Sequence, residues 1–170
     1  MDSSPQTELY FIRHGIAANR GTYAQDRERP LTEKGRLRTR AIGDRLVQLG
    51  CRVELILTSP LVRAHQTTQI LLEADLAPTS ATLEVLAPGG ELQHWLSWLT
   101  DWQMAHPVSR LALVGHEPDL SHWAQLLVHG QGSHNWRLKK TGVIGVEVPP
   151  AKDAIGHSTL FWLAPPQLLL

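Results

Sequence analysis

Residues 9–19 read LYFIRHGIAAN. Leu9, Tyr10, Phe11 and Ile12 are apolar and β-prone, which predicts a short buried strand over residues 9–12. Arg13, His14 and Gly15 follow without a spacer. Two potentially cationic side chains set directly after a buried strand, with a glycine behind them, mark either a plain turn or the floor of an anion-binding site. What separates the two is whether the pattern recurs.

It recurs twice. Residues 53–57 (VELIL) form a second predicted strand, followed by TSPLVRAHQT, which places Ser59 and Arg63 at the start of a helix over residues 61–76. Residues 111–114 (LALV) form a third, followed by Gly115, His116 and Glu117 and a helix over 119–128 with Asp119 near its start. The intervening elements are also legible. Thr32 and Glu33 open a helix with apolar positions Leu37, Ala41, Ile42, Leu46 and Leu49, closed by Gly50. Ala64, Ile70, Leu71 and Ala74 make the apolar face of the next helix. Leu92, Trp95, Leu96 and Leu99 recur at helical spacing, and the pair Trp95 and Trp98 reads as packing. Residues 83–90 (LEVLAPGG) read as a short extended segment and a turn, and residues 143–148 and 159–163 as a closing strand pair.

Strands alternating with helices predict an α/β fold. Its form would be a three-layer sandwich with a mainly parallel central sheet flanked by helices, mixed if the last strand pair is antiparallel. Residues 1–170 show no internal repeat and no dividing linker, so one domain is expected, with residues 1–7 a flexible N-terminus. Residues 15–35 are polar, carry Gly, Asn, Asp and Pro, and read as a long loop of the kind that often serves function.

In such sheets sites form in the crevice beyond the carboxyl ends of the strands. Three successive strand ends there supply Arg13, His14, Ser59, Arg63, His116 and Glu117, together with helix N-termini. Taken singly each has an ordinary reading: His14 as a structural histidine, Arg63 as a solvated surface arginine, His116 as a helix cap. Together they suit one chemistry. Guanidinium groups bind phosphate oxygens with a planar fork, and helix N-termini add N–H donors aimed at an anion. A neutral imidazole is a competent nucleophile that can carry a covalent intermediate. A second histidine can donate hydrogen bonds or move protons near neutral pH. The inventory describes phosphoryl transfer through a phosphohistidine. Arg27, Arg29 and Arg110 lie outside the three clusters and stand as controls for general charge.

Composition narrows the alternatives. Lys plus Arg and Asp plus Glu balance at 16 each, which argues against a dedicated nucleic-acid or membrane-surface binder. The opening MDSSPQTE lacks the apolar run of a signal peptide, and no segment has the ~18 apolar residues of a membrane span, so a cytoplasmic protein is expected. Cys51 is the one cysteine, and Leu57 stands where a cysteine-dependent phosphatase would need its arginine. No G-x-x-x-x-G-K-[ST] phosphate loop is present. His116, His122, His129 and His134 offer nitrogen donors but show no standard ligand spacing, and residues 129–134 read as an exposed loop. No metal and no cofactor are expected.

RHG at 13–15, TSPLVRAHQT at 58–67 and GHE at 115–117 resemble the signature of the histidine phosphatase, or phosphoglycerate-mutase-like, superfamily. The short length, RPLTEKG at 29–35, LAPGGE at 86–91, VGHEPDLS at 114–121 and LKKTG at 138–142 are most similar to its SixA-type phosphohistidine phosphatases. The resemblance implies that His14 is the nucleophile, that Arg13 and Arg63 hold the phosphoryl oxygens, and that His116 completes the pocket. It further implies phosphate contacts from Asn19 and from the backbone N–H of Glu117. One departure stands out. Many relatives carry a glutamate before the turn as proton donor; here Glu84 is one position out of register and Glu91 follows the glycines, so both are candidates for that role and equally for solvated surface. The expected activity is protein phosphohistidine dephosphorylation. The alternatives are a phosphomonoesterase for a small metabolite and a non-catalytic phosphate-binding module. Expected partners are a phosphohistidine-bearing protein, such as a phosphotransfer domain, or a small phosphorylated molecule, with no nucleic acid and no membrane.

Overall fold

Alternation along the first strand builds the molecule. In the computed structural model, which describes residues 4–133 and 135–170, strand β1 is Gln6–Arg13. Leu9 and Phe11 point into one apolar cluster, while Tyr10 and Ile12 point into another on the opposite face. A strand buried on both faces has to be covered by helices on both sides. The first cluster is closed by α3 (Leu92–Ala105) and α4 (Asp119–His129). The second is closed by α1 (Glu33–Gln48), α2 (Val62–Glu73) and the short α5 (Pro166–Leu169).

The remaining strands are β2 (Leu55–Thr58), β3 (Ser80–Thr82), β4 (Val108–Gly115), β5 (Val143–Val148) and β6 (Thr159–Ala164). They form one six-stranded sheet in the order β3-β2-β4-β1-β5-β6. The pairs from β3 to β1 are parallel, and the β1–β5 and β5–β6 pairs are antiparallel. The sheet is therefore mixed, with a parallel core. No helix of the described residues is long and apolar enough to cross a membrane.

Three expectations change. Gln6 and Thr7 belong to β1, and Thr7 is fully buried with its hydroxyl 3.3 Å from that of Ser109, so the segment expected to be free through residue 7 is already tied into the sheet. The edge strand β3 was not foreseen: its Ser-Ala-Thr is short and mostly exposed, and carries no hydrophobic signal. On α1, Leu37 is 68% exposed and Leu49 is also exposed. The buried stripe is instead Gly35, Thr39, Ile42, Gly43 and Leu46. Small residues face inward there because α1 lies close against its neighbours: a Cβ on Gly35 would come 2.0 Å from the Ile16 carbonyl oxygen, and one on Gly43 would meet the Ala74 Cβ at 2.9 Å.

Candidate active site

Strand register brings the polar clusters together. In the parallel β1–β4 pair Arg13 lies opposite Gly115, so the next residues, His14 and His116, leave the sheet side by side. Their ring centroids are 5.2 Å apart. In the β2–β4 pair Thr58 lies opposite Val114, which delivers Ser59 to the same edge, held by its N–H to the Val114 carbonyl at 3.0 Å. Because β5 is antiparallel to β1, the turn that enters β5 arrives where β1 ends. Thr141 N–H donates to the Arg13 carbonyl at 3.0 Å, and Arg13 Nη1 donates to the Leu138 carbonyl at 3.0 Å. A cavity of about 570 Å³ opens there, lined by Arg13, His14, Asn19, Arg63, His116 and Glu117 from the predicted set.

Gly15 is required by space. A Cβ at this position would lie 2.5 Å from Thr39 Oγ1. Its N–H donates to Thr67 Oγ1 at 2.9 Å, and the Thr67 hydroxyl in turn donates to the Arg63 carbonyl at 2.7 Å. The first and second clusters are thus locked together through their backbones.

The hydrogen bonds of His14 define its tautomer. Nδ1 lies 2.7 Å from the Gly15 carbonyl, an acceptor, so Nδ1 carries the hydrogen. Nε2 then holds the lone pair, and it accepts from Arg63 Nε at 3.3 Å. Burial, reinforced by the positive charge of Arg63 and Arg13, lowers the His14 pKa to about 2. His116 is likewise pushed down to about 4, chiefly by burial and then by Arg63. Both rings are neutral at physiological pH. His116 Nε2 lies 2.7 Å from Ser59 Oγ, and its Nδ1 is buried with no partner among the described residues.

Arg63 is clamped from behind. Its Nη1 donates to the Asp26 carbonyl at 2.9 Å and its Nη2 to Asp26 Oδ2 at 3.0 Å, while Nε faces His14. Asp26 also accepts from Arg29 Nε at 2.8 Å, and the Arg29 hydrogen bond is the main cause that keeps its carboxyl below the usual carboxylate range. Arg29 is 6% exposed and lines the cavity. Treating it as a surface control was therefore wrong: it lies in a loop without periodicity, where burial leaves no trace in sequence. Arg110 pairs with Glu8 at 2.6 Å, so exposed Arg27 is the cleaner control. Ser59, Asp26, Arg20 and Lys140 also escaped assignment, although Ser59 was visible on a strand end.

The carboxylates are placed as follows. Glu84 and Glu91 are exposed and do not line the cavity. The turn between them is tied to α4 by the Gly89 N–H, which donates to Asp119 Oδ2 at 2.8 Å, and only Pro88 of that turn reaches the cavity. Glu117 does line it, but with both oxygens engaged: Oε1 accepts from Leu138 N–H at 3.0 Å and Oε2 from Ser121 Oγ at 2.5 Å. Burial raises the Glu117 pKa, opposed by those hydrogen bonds and by Arg13. Asn19 lines the cavity as an exposed residue. Among the described residues no group of three or more His, Cys, Asp or Glu is placed to hold a metal ion, and His134 lies outside them.

Comparison with known proteins bears on the family and the fold. The family model of the histidine phosphatase superfamily (branch 1) matches residues 9–84. The chain is 49% identical over 164 residues to an uncharacterised protein of Picosynechococcus sp. (strain ATCC 27264 / PCC 7002 / PR-6), covering 96% of this chain and 99% of that one. It is 33% identical over 115 residues to the phosphohistidine phosphatase SixA of Escherichia coli (strain K12), covering 64% of this chain and 70% of that protein. The solved structure of the protein histidine phosphatase SixA complexed with tungstate superposes with a TM-score of 0.83 at 24% identity, covering 96% of this chain and 99% of that one. With two neutral histidines and two arginines gathered on adjoining strand ends, and with relatives of this kind, the chain belongs to the histidine phosphatase superfamily.

Proposed function

We propose that the protein is a phosphohistidine phosphatase that works through a phosphorylated His14. The observation that carries this reading is the His14 ring: neutral, with its Nε2 lone pair beside Arg63 Nε in a cavity lined by Arg13 and His116. Nε2 attacks the phosphorus of the substrate phosphohistidine. The substrate P–N bond breaks and the leaving imidazole takes up a proton. Water then attacks phospho-His14, its proton passing to a neighbouring base or to solvent, and inorganic phosphate leaves with His14 restored to its neutral form.

Arg13 and Arg63 hold the phosphoryl oxygens while charge builds on them. Asp26 holds the outer edge of Arg63, which leaves the edge carrying Nε turned toward His14. With the Ser59 hydroxyl donating to His116 Nε2, His116 Nδ1 carries a hydrogen and donates it to the transferring group. The substrate class follows from the carboxylates. Expelling an alkoxide from a phosphomonoester calls for a placed acid. Glu84 and Glu91 are outside the cavity, Asp26 is held ionised, and each Glu117 oxygen already accepts a hydrogen bond, from Leu138 N–H and from Ser121 Oγ. Imidazole is a better leaving group and needs that acid less. The physiological substrate is then a phosphotransfer protein.

Labelled phosphohistidine protein mixed with the enzyme and quenched in alkali should leave an acid-labile phosphoenzyme, and His14→Ala should abolish both it and turnover. A phosphoenzyme that persists in the alanine variant would refute the assignment.

A further inference from the structure

Five cationic side chains line the cavity: Arg13, Arg20, Arg29, Arg63 and Lys140. Three of them have partners. Arg63 and Arg29 share Asp26, and Arg13 donates to the Leu138 carbonyl and feels the charge of Glu117. The side chains of Arg20 and Lys140 make no hydrogen bond or ion pair with any described residue. Lys140 is half-buried, on the turn that β5 brings up against Arg13, and Arg20 lies on the loop that follows His14.

That surplus has a cost. Cations gathered in one partly dry cavity repel one another, and the ammonium of Lys140 is held below its ordinary range by burial and then by Arg13, Arg29, Arg63 and Arg20. The phosphoryl group carries at most two negative charges, which the guanidinium groups of Arg13 and Arg63 face directly, while the two neutral histidines add hydrogen-bonding groups and no charge. Arg20 is exposed, as Arg27 and Lys139 are, but Arg20 and Lys140 line the cavity and Arg27 and Lys139 do not.

We propose that Arg20 and Lys140 form a second anion subsite in this cavity, which takes a carboxylate or phosphate flanking the phosphoryl group of the substrate. The inference rests on the phosphatase reading of the same cavity and deepens it: the preferred substrate is doubly anionic. Lys140 supplies a compact point charge and Arg20 a fork that can span two oxygens. The flanking anion comes either from an acidic side chain beside a phosphohistidine or from a second acidic group on a small molecule.

Binding is tested first, because it needs no turnover and stands even if the catalytic reading fails. Calorimetry compares inorganic phosphate with pyrophosphate on the wild-type protein, on the double variant Arg20→Gln/Lys140→Gln, and on the control Arg27→Gln/Lys139→Gln. Wild type and control should bind pyrophosphate about tenfold more tightly than phosphate, the size of one added charged contact. The double variant should lose most of that advantage while binding phosphate nearly as before, and Lys140→Arg should restore part of it. Equal affinity of the wild type for the two anions overturns the proposal, as does an equal loss for both in the double variant. Kinetics then separates the sources. Phosphohistidine peptides with Asp or Asn beside the phosphohistidine form one arm, and 3-phosphoglycerate against glycerol 3-phosphate forms the other. A preference for Asp that disappears in the double variant assigns the subsite to protein substrates; the same result with 3-phosphoglycerate assigns it to small acids. Turnover without either preference overturns the proposal.

Discussion

His14 and His116 are buried and neutral, and that state links stability to pH. Their folded pKa values are about 2 and about 4, below the ordinary imidazole value that they regain on unfolding. The unfolded chain therefore binds more protons than the native one as pH falls through about 6.5, and native stability drops. Between about pH 7.5 and 5.5 each histidine should remove about 1.4 kcal/mol. Urea titrations in phosphate-free buffer should show that loss, and His14→Asn should remove roughly half of it. A variant whose stability falls as steeply as the wild type's would mean that His14 is protonated in the folded protein. The second prediction at this scale concerns the clamp. Arg63 uses Nε toward His14 and both Nη groups toward Asp26, a three-point arrangement no lysine can reproduce. Arg63→Lys should cost tenfold or more, on the order of 1.4 kcal/mol or above in transition-state stabilisation, whereas Arg27→Lys should cost almost nothing. Equal losses would point to the general field of the cavity.

At the scale of elements, what could be read from the sequence depended on whether an element announces itself by period. β1, β2 and β4 carry apolar runs, and α3 carries Leu92, Trp95, Leu96 and Leu99 at helical spacing, all four buried. His14, Arg13, Arg63 and His116 were legible because each stands directly on or after such an element. Asp26, Arg29 and Arg20 lie in an aperiodic loop, and Lys140 in a turn whose position depends on the antiparallel pairing of β5, so nothing in their local sequence marks them. The error on α1 had another cause. Hydrophobic spacing selected Leu37 and Leu49, but the contact face uses Gly35 and Gly43 to let backbones approach. Gly35→Ala tests this. Its Cβ would fall 2.0 Å from a backbone oxygen, which cannot swing aside as a side chain can. Despite the better helix propensity of alanine, the variant should lose about 1–3 kcal/mol and, by pushing on Ile16, misplace His14. Thr32→Ala, which removes the cap accepted from Gly35 N–H at 3.0 Å, should cost about 1 kcal/mol and leave turnover intact. A neutral or stabilising Gly35→Ala would show that α1 can back away from the loop.

For the whole molecule, the question is which phosphorylated group the cavity was built to receive. Its walls come from strand ends and from three connecting segments: the loop after β1, the turn around Pro88 and the turn before β5. The loop after β1 is long, but Asn19, Arg20 and Pro88 line the cavity as exposed residues, so it remains approachable by a side chain carried on another protein. The chemistry leans the same way. In the proposed mechanism His14 attacks while Arg13 and Arg63 hold the phosphoryl group, and of the described carboxyls that line the cavity Asp26 is held ionised and Glu117 accepts a hydrogen bond at each oxygen. A phosphohistidine releases imidazole, which accepts its proton from water with little help. The enzyme should therefore show a kcat/KM for a phosphohistidine-bearing phosphotransfer domain at least about a hundredfold above that for phosphoserine peptides or sugar phosphates, a difference of roughly 2.7 kcal/mol in the barrier. The same preparation must be used for all three, since a lower active fraction lowers the apparent kcat and with it kcat/KM. If a small phosphomonoester wins by that margin, an acid is at work after all. Glu117 would then be the group to substitute, because it is the cavity carboxyl whose pKa burial raises, and Glu117→Gln would separate its proton from its hold on Leu138.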